Sequence, residues 1–420
     1  MDSSKENSVH SSPRLGSPST PGTEDDTLFD ADLPNTISDE YVLVTGGLGF
    51  IGSHTSVELL KAGHNIVIVD DLSNSFPDVF DRIVTIATRY FEVYGGRCPK
   101  AEVHHFCFRD PRKMRALLEQ YSVSVAIGEP RRSRIIGVTH FAGFKAVEES
   151  IKLPIKYYQN NISGLINFIA LLDEFKIRTF IFSSSAAVYG SLADSNQLLR
   201  EEHCVHKREI YQDLDETTQI AQPGCIGITS PYGRTKYMGE AILSDLATSD
   251  PSWNIVALRY FNPIGCDASG LLGEDPRGVP SNLFPVVVKV VTGQYQELSI
   301  YGSDWATPDG TAIRDFIHVS DLARGHTAVL SAAHAGSIAE GYRTFNLGTG
   351  TGYSILEVVS AMEAVTGKPI PRKMVPRRAG DVQSSVAAAD RARIELGWET
   401  KESLTDACRD TIEYLKRSGA

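Results

Sequence analysis

Tyr41-Val42-Leu43-Val44-Thr45-Gly46-Gly47-Leu48-Gly49-Phe50-Ile51-Gly52 is the stretch of this 420-residue chain on which its fold turns. An apolar run stops at glycines, and Ser53–Ala62 follows with helical composition. The glycines have separate jobs: one permits a tight turn, one lets backbone N–H groups approach a pyrophosphate, and one lets the helix close on the sheet. The helix N-terminus adds partial positive charge for an anion. A second apolar run, Ile66–Val69, ends in Asp70. An acid about 20 positions on can accept from an adenosine ribose diol, and it would repel a 2′-phosphate. The stretch therefore predicts a dinucleotide site for NAD rather than NADP.

Outward from it, short apolar runs (Ile66–Val69, Ile135–Phe141, Phe180–Phe182) alternate with longer amphipathic stretches. That alternation predicts a Rossmann-type, doubly wound parallel sheet covered on both faces. The pattern loosens after about residue 190, and the C-terminal third mixes short strands and helices. We therefore expect a mainly NAD-binding domain over 39–260. A smaller mixed α/β substrate lobe over 261–420 is expected to send some chain back to the first domain. Residues 1–38 are rich in Ser, Pro, Asp and Glu and are expected to be a disordered tail. The net charge of −11 argues against a nucleic-acid partner, and no apolar run is long enough to span a bilayer. Six cysteines lack CxxC spacing, so they read as reduced thiols of a cytoplasmic protein, with no metal site.

The chemistry is expected from Ser230-Pro231-Tyr232-Gly233-Arg234-Thr235-Lys236. Positions four apart share one face of a helix, so Tyr232 and Lys236 can address one ligand. Phe182–Gly190 places hydroxyls at a strand's carboxyl end, where α/β sheets bind ligands. A phenol titrates near 10, and acting as a base near neutrality requires stabilising its anion by about 4 kcal/mol. A cation at about 4 Å supplies about that much at an effective dielectric near 20. Lys236 and an oxidised nicotinamide together suffice, which makes Tyr232 the base and Ser185 its relay.

These residues resemble the extended short-chain dehydrogenase/reductase superfamily and, within it, the UDP-galactose (UDP-glucose) 4-epimerases. The resemblance runs from about Val42 to Tyr414. It rests on VTGGLGFIGSHT, HFAGFKAVEES, YYQNN, FSSSAAVYG, SPYGRTK, LRYFNPIG, GEDPRGVPSNLFP, GTAIRDFIHVSDLA, FNLGTG and PRRAGD. It implies C4 epimerisation of UDP-hexoses through a 4-keto sugar, with NAD retained between turnovers. Ser185, Tyr232 and Lys236 would be catalytic. The cofactor would lie on Gly46, Gly49, Phe50, Ile51, Gly52, Asp70, Asn74, Phe108, Phe141, Ala142, Gly143, Lys145, Asn160, Ser183, Tyr232, Lys236 and Tyr260. The UDP-sugar would meet Lys145, Ser185, Tyr232, Asn262, Asn282, Leu283, Tyr301, Arg314, Arg378, Asp381 and Ser385. Arg314, Arg378 and Asp381 would clamp diphosphate and ribose.

Some positions depart from that family. Cys107, with Asp110 after it, stands where an adenine-contacting Asp is common. Ala126–Ile136, with Arg131, Arg132 and Arg134, is expected to loop out. Leu192–Ile228 is long enough to be a lid or an inert insertion. Ala187 and Phe316 replace a hydroxyl residue and a Tyr. Ser385 stands where relatives restricted to plain hexoses carry a large residue, which implies room for N-acetylated sugars. The family is usually homodimeric, and the same is expected here. Related 4,6-dehydratases carry Asp-Glu where Ala186-Ala187 stand, against dehydration. A UDP-pentose epimerase, a UDP-sugar decarboxylase and a non-catalytic nucleotide sensor remain as alternatives.

Overall fold

In chain order the strands that matter are β1 (Tyr41–Thr45), β2 (Asn65–Asp70), β3 (Ala101–His105), β4 (Ile135–His140), β5 (Thr179–Ser185) and β6 (Asn254–Tyr260). Then come β7 (Asn262–Ile264), β8 (Ile313–His318), β9 (Tyr342–Leu347), β10 (Gly352–Ser354) and β11 (Ser384–Ser385). The computed structural model describes residues 39–124, 131–195, 197–212, 217–280, 282–338 and 341–418. The expected N-terminal tail and residues 126–130 of the expected loop at 126–136 lie outside them; the rest of that loop is instead paired, Arg132 and Ser133 opposite Val123 and Ser122, with β4 starting at Ile135.

Seven strands make one parallel sheet in the order β9-β6-β5-β4-β1-β2-β3. Its strands are apolar throughout because both faces are covered. Val42, Val44, Ile66 and Ile68 face one core, shared with Val57 and Leu60 of α1 (Phe50–Lys61). Leu43, Val67 and Val69 face the other, shared with Leu243 and Ala247 of α2 (Pro231–Ser249). Strand order reverses beside β1, so the turn after β1 opens at the sheet's switch point. α1 begins at Phe50, earlier than the composition of Ser53–Ala62 indicated, with Gly49 as its N-cap.

A second layer joins β7, β8 and β10, and β11 adds to β8. Its core holds Phe284 and Val287 of α3 (Leu283–Val291) together with Phe316, Val358 and Met362. The chain returns from this layer to set β9 against β6 in parallel, Tyr342–Leu347 against Ile255–Tyr260.

Candidate active site

The glycine turn is held by sterics that side chains could not meet. Gly46 has φ +72°, and a Cβ there would stand 2.8 Å from Ala142 N. A Cβ on Gly52 would stand 2.2 Å from Gly46 O. Asp70 at the end of β2 fixes the turn: its Oδ2 accepts from Leu48 N at 3.0 Å. Its Oδ1 accepts from Leu72 N at 2.9 Å and Ser75 Oγ at 2.7 Å.

This turn forms one wall of a cleft of about 950 Å³. Every residue expected on the cofactor lines it, from Gly46 and Asp70 to Lys236 and Tyr260. Bare glycine backbone at a helix N-terminus, a strand-end carboxylate and a long half-apolar trough fit an NAD.

At the inner end, α2 presents the catalytic pair. Ser230 caps this helix by accepting from Gly233 N at 3.1 Å, and Pro231 occupies its first turn. Tyr232 N donates to Ser150 Oγ at 3.1 Å. Lys236 Nζ donates to Ser183 O on β5 and lies 5.9 Å from the Tyr232 ring centre. Burial pulls the Lys236 ammonium down to about 8, and Glu240 one turn on pulls it partly back. The expected depression of Tyr232 is absent in the protein alone. Burial raises the phenol, and a hydrogen bond with Ser185 offsets this only in part. In the protein alone desolvation is the larger effect, so a lowered phenol needs the charge of an oxidised nicotinamide in addition to that of Lys236.

The residues expected on the nucleotide-sugar divide. Lys145 and Asn282 line the cleft. Leu283 follows as the first residue of α3. Asn262, Tyr301, Arg314, Arg378, Asp381 and Ser385 gather on the second layer. Register places Asn262 opposite Phe316 and Arg314 opposite Ser385, so Asn262, Arg314 and Ser385 share one face. Arg314 hydrogen-bonds only backbone carbonyls, those of Ile313, Val382 and Gln383. Burial lowers its pKa, with Asp381 opposing. Among the described residues this half-buried guanidinium has no anion in direct contact. Arg378 pairs with Asp381 at 3.1 Å and stacks 4.4 Å from the Tyr301 ring centre. The two groups meet where Thr229 Oγ1, just before α2, donates to Gly380 O at 3.3 Å.

Three departures from the family take these places in the fold. Asp110 caps the helix Pro111–Gln120, accepting from Arg112 N and Lys113 N, both at 3.1 Å. Cys107 is not on the cleft wall, where Phe106 and Phe108 stand instead. None of the described residues of Leu192–Ile228 lines the cleft, and Glu209 in its hairpin Glu209–Gln212/Thr218–Ala221 pairs with Arg343 at 2.8 Å and Arg391 at 2.9 Å. Only its start approaches the second group, where Asp194 accepts from Gln383 N at 2.8 Å.

Sequence reasoning missed two carboxylates. Glu274 accepts from Lys145 Nζ at 3.1 Å and Asn282 Nδ2 at 2.8 Å, orienting both toward the cleft. Glu240, fully buried, accepts from Arg259 Nε and Nη2, His206 and Ser184 behind Lys236. Neither has a spacing signal, because their partners are distant in sequence.

A switch-point glycine turn beside a Tyr-x-x-x-Lys helix defines the class: residues 42–348 match the NAD dependent epimerase/dehydratase family, and the chain belongs to it. Within that family it falls with the UDP-glucose 4-epimerases. It is 42% identical over 376 residues to that enzyme of Dictyostelium discoideum, covering 90% of this chain and 96% of the relative. The UDP-glucose 4-epimerase from Bifidobacterium longum, solved in complex with NAD+ and UDP, is 39% identical with a TM-score of 0.75. The enzyme from Stenotrophomonas maltophila, with bound NAD and formylated UDP-arabinopyranose, is 38% identical with a TM-score of 0.76. Each alignment covers 90% of this chain and 99% of the solved one. NAD is the cofactor of this family, and this chain is an epimerase of it.

Proposed function

We propose that the protein inverts C4 of UDP-hexoses, interconverting UDP-glucose and UDP-galactose and also their N-acetylated counterparts. The observation that supports this is that Tyr232 and Lys236 line the inner end of the cleft, with Ser185 in reach of the Tyr232 phenol. NAD held along Gly46–Gly52, Asp70 and Lys145 would supply the redox chemistry at C4. Tyr232 accepts the C4-hydroxyl proton, and Ser185 steadies the oxygen. Lys236, pinned to the Ser183 carbonyl, holds positive charge near the phenolate. Arg314, Arg378 and Asp381 hold diphosphate and ribose while the 4-keto sugar turns. Ser385, opposite Arg314 in the sheet, leaves space for the acetamido group.

We assign 39–260 mainly to the cofactor domain and 261–420 mainly to the substrate lobe, with some chain, β9 included, crossing back to the cofactor sheet. We place the protein in the cytoplasm, with its thiols reduced; among the described residues no helix is long and apolar enough to cross a membrane. A homodimer is proposed through Ile155, Ile166 and Met238, exposed apolar side chains on the helices beside and including α2.

The test is to incubate the protein with UDP-galactose or UDP-N-acetylgalactosamine, without added NAD, and follow products by NMR. Conversion of both is expected. Conversion of UDP-galactose alone removes the acetylated substrates from the proposal, and Ser385→Tyr should reproduce that restriction. Turnover of UDP-pentoses but neither hexose would replace the proposal with the pentose reading.

A further inference from the structure

Leu192–Ile228 carries two cysteines outside the cleft. Val205 and Gly224 form an antiparallel bridge, with Gly224 N donating to Val205 O at 2.9 Å. Cys204 and Cys225 are therefore opposite each other one step along. In such a pair Cα atoms stand about 4.5–5.5 Å apart, inside the range of about 4.4–6.8 Å that a disulfide spans. Both pack in the cluster with Val188, Tyr189 and Leu199, where the two thiols interact. Cys204 is buried and Cys225 half-buried, so solvent reaches one of the two. We infer that Cys204 and Cys225 are a reversible thiol–disulfide site whose oxidant is a small-molecule disulfide of the glutathione class.

The asymmetry orders the steps. The interaction with Cys204 pulls the Cys225 thiol down to about 7, while the same interaction and burial push Cys204 up. The Cys225 thiolate attacks one sulfur of the external disulfide, expels one small thiolate and forms a mixed disulfide. The sulfur of Cys204 then attacks Cys225 Sγ, its proton passes to the departing sulfur, and the second small molecule leaves as a thiol. Two protein thiols are oxidised, and one external disulfide is reduced to two thiols.

A metal ion is the rival occupant, since ligand atoms of Cys204, His206 and Glu240 lie within 4.8 Å of one another. Glu240 argues against it. Its Oε1 already accepts from Ser184 and Arg259, its Oε2 from Arg259 and His206. An ion would have to displace one of these and face the Arg259 guanidinium. The disulfide instead closes the loop bearing the hairpin Glu209–Gln212/Thr218–Ala221. It also fixes the Cys204 carbonyl, which accepts from Arg259 Nη2 at 2.6 Å.

To test this, full-length protein is equilibrated in glutathione buffers of graded redox poise, alkylated, digested and analysed by mass spectrometry. The expected result is loss of two hydrogens, with the Cys204 and Cys225 peptides joined, reversed by excess reduced glutathione. Tm should rise by about 5 °C on oxidation. Cys204→Ser should stop at a glutathione adduct on Cys225, and Cys225→Ser should form no crosslink. Alkylation of both thiols at every poise, while Cys98 and Cys107 take up glutathione, would overturn the inference. So would one equivalent of zinc in the purified protein that His206→Ala abolishes. The wild-type measurement decides alone, so a Cys204→Ser chain that fails to fold leaves the test intact.

Discussion

Lys236→Met separates what the lysine does for catalysis from what it does to the fold. Its ammonium lies 5.9 Å from the centre of the Tyr232 ring. At an effective dielectric near 20, a unit positive charge at that distance stabilises the phenolate by about 3 kcal/mol, or about 100-fold in its acidity. At pH 7 the variant should therefore turn over UDP-galactose about 100-fold more slowly, and the acid limb of its pH–rate profile should move up by about two pH units. Folding should respond in the opposite direction. Burial holds Lys236 at about 8 against its ordinary value of 10.5, so the unfolded chain binds this proton more tightly than the native one. Stability is thus lost as pH falls from 10.5 to 8, and by pH 7 the charged lysine opposes folding by about 3 kcal/mol. The methionine variant should melt higher than wild type at pH 7, with the advantage fading toward pH 10. Kinetics by NMR and melting by circular dichroism, each from pH 6 to 10, make the check. A 100-fold loss that is uniform across pH, with the acid limb unmoved, refutes the electrostatic role. A variant that melts lower at every pH refutes the desolvation argument.

Four further outcomes follow from the same structure. Gly52→Ala would force a Cβ to 2.2 Å from Gly46 O, so the purified variant should lose its NAD fluorescence and absorbance while its unfolding stays cooperative. Glu240→Gln leaves Arg259 charged with its fully buried carboxylate partner gone, and should destabilise by about 3–5 kcal/mol. Adding Arg259→Met should recover much of that loss in thermal melts, and additive losses would count against the pair. Glu274→Gln should raise KM for UDP-galactose by about fivefold, with kcat changed less, because Lys145 and Asn282 lose their common carboxylate. Burial holds His54 and His326 at about 4 and His140 at about 3. Each is neutral in the fold and protonates on unfolding below 6.5, so stability should fall between pH 6.5 and 4, by about 2 kcal/mol per histidine at pH 5. Flat melting temperatures between pH 7 and pH 5 would contradict this.

The sheet was legible because β1, β2 and β5 are buried on both faces, and such strands write themselves as apolar runs. The cofactor wall was legible because its residues sit at strand ends, at positions set by one local βαβ unit. Arg314, Asn262 and Ser385 are different: only the register of β7, β8 and β11 brings them to one face, and the resemblance alone pointed to them. The place of Asp110 had a signal in the sequence, since an Asp followed by Pro111 marks the start of a helix. Glu274 and Glu240 were invisible, because their partners lie at separations no periodicity encodes. For Tyr232 the sequence shows the neighbouring charge, whereas the rise that burial causes in the protein alone is read only from the structure.

The place of β9 also has a consequence for how the chain is made. It completes the edge of the sheet beside β6, yet it leaves the ribosome 87 residues after β6 ends, the distance from Tyr260 to Leu347. At about 5–20 residues per second, that is an interval on the order of ten seconds. Throughout it, the nascent cofactor half presents the unpaired backbone of β6 and the apolar side chains around it. A finished dinucleotide half cannot accumulate before its partner is translated, so the newborn polypeptide is expected to depend on holding chaperones during that window. Cutting the gene between residues 260 and 261 should give two insoluble fragments rather than two autonomous modules.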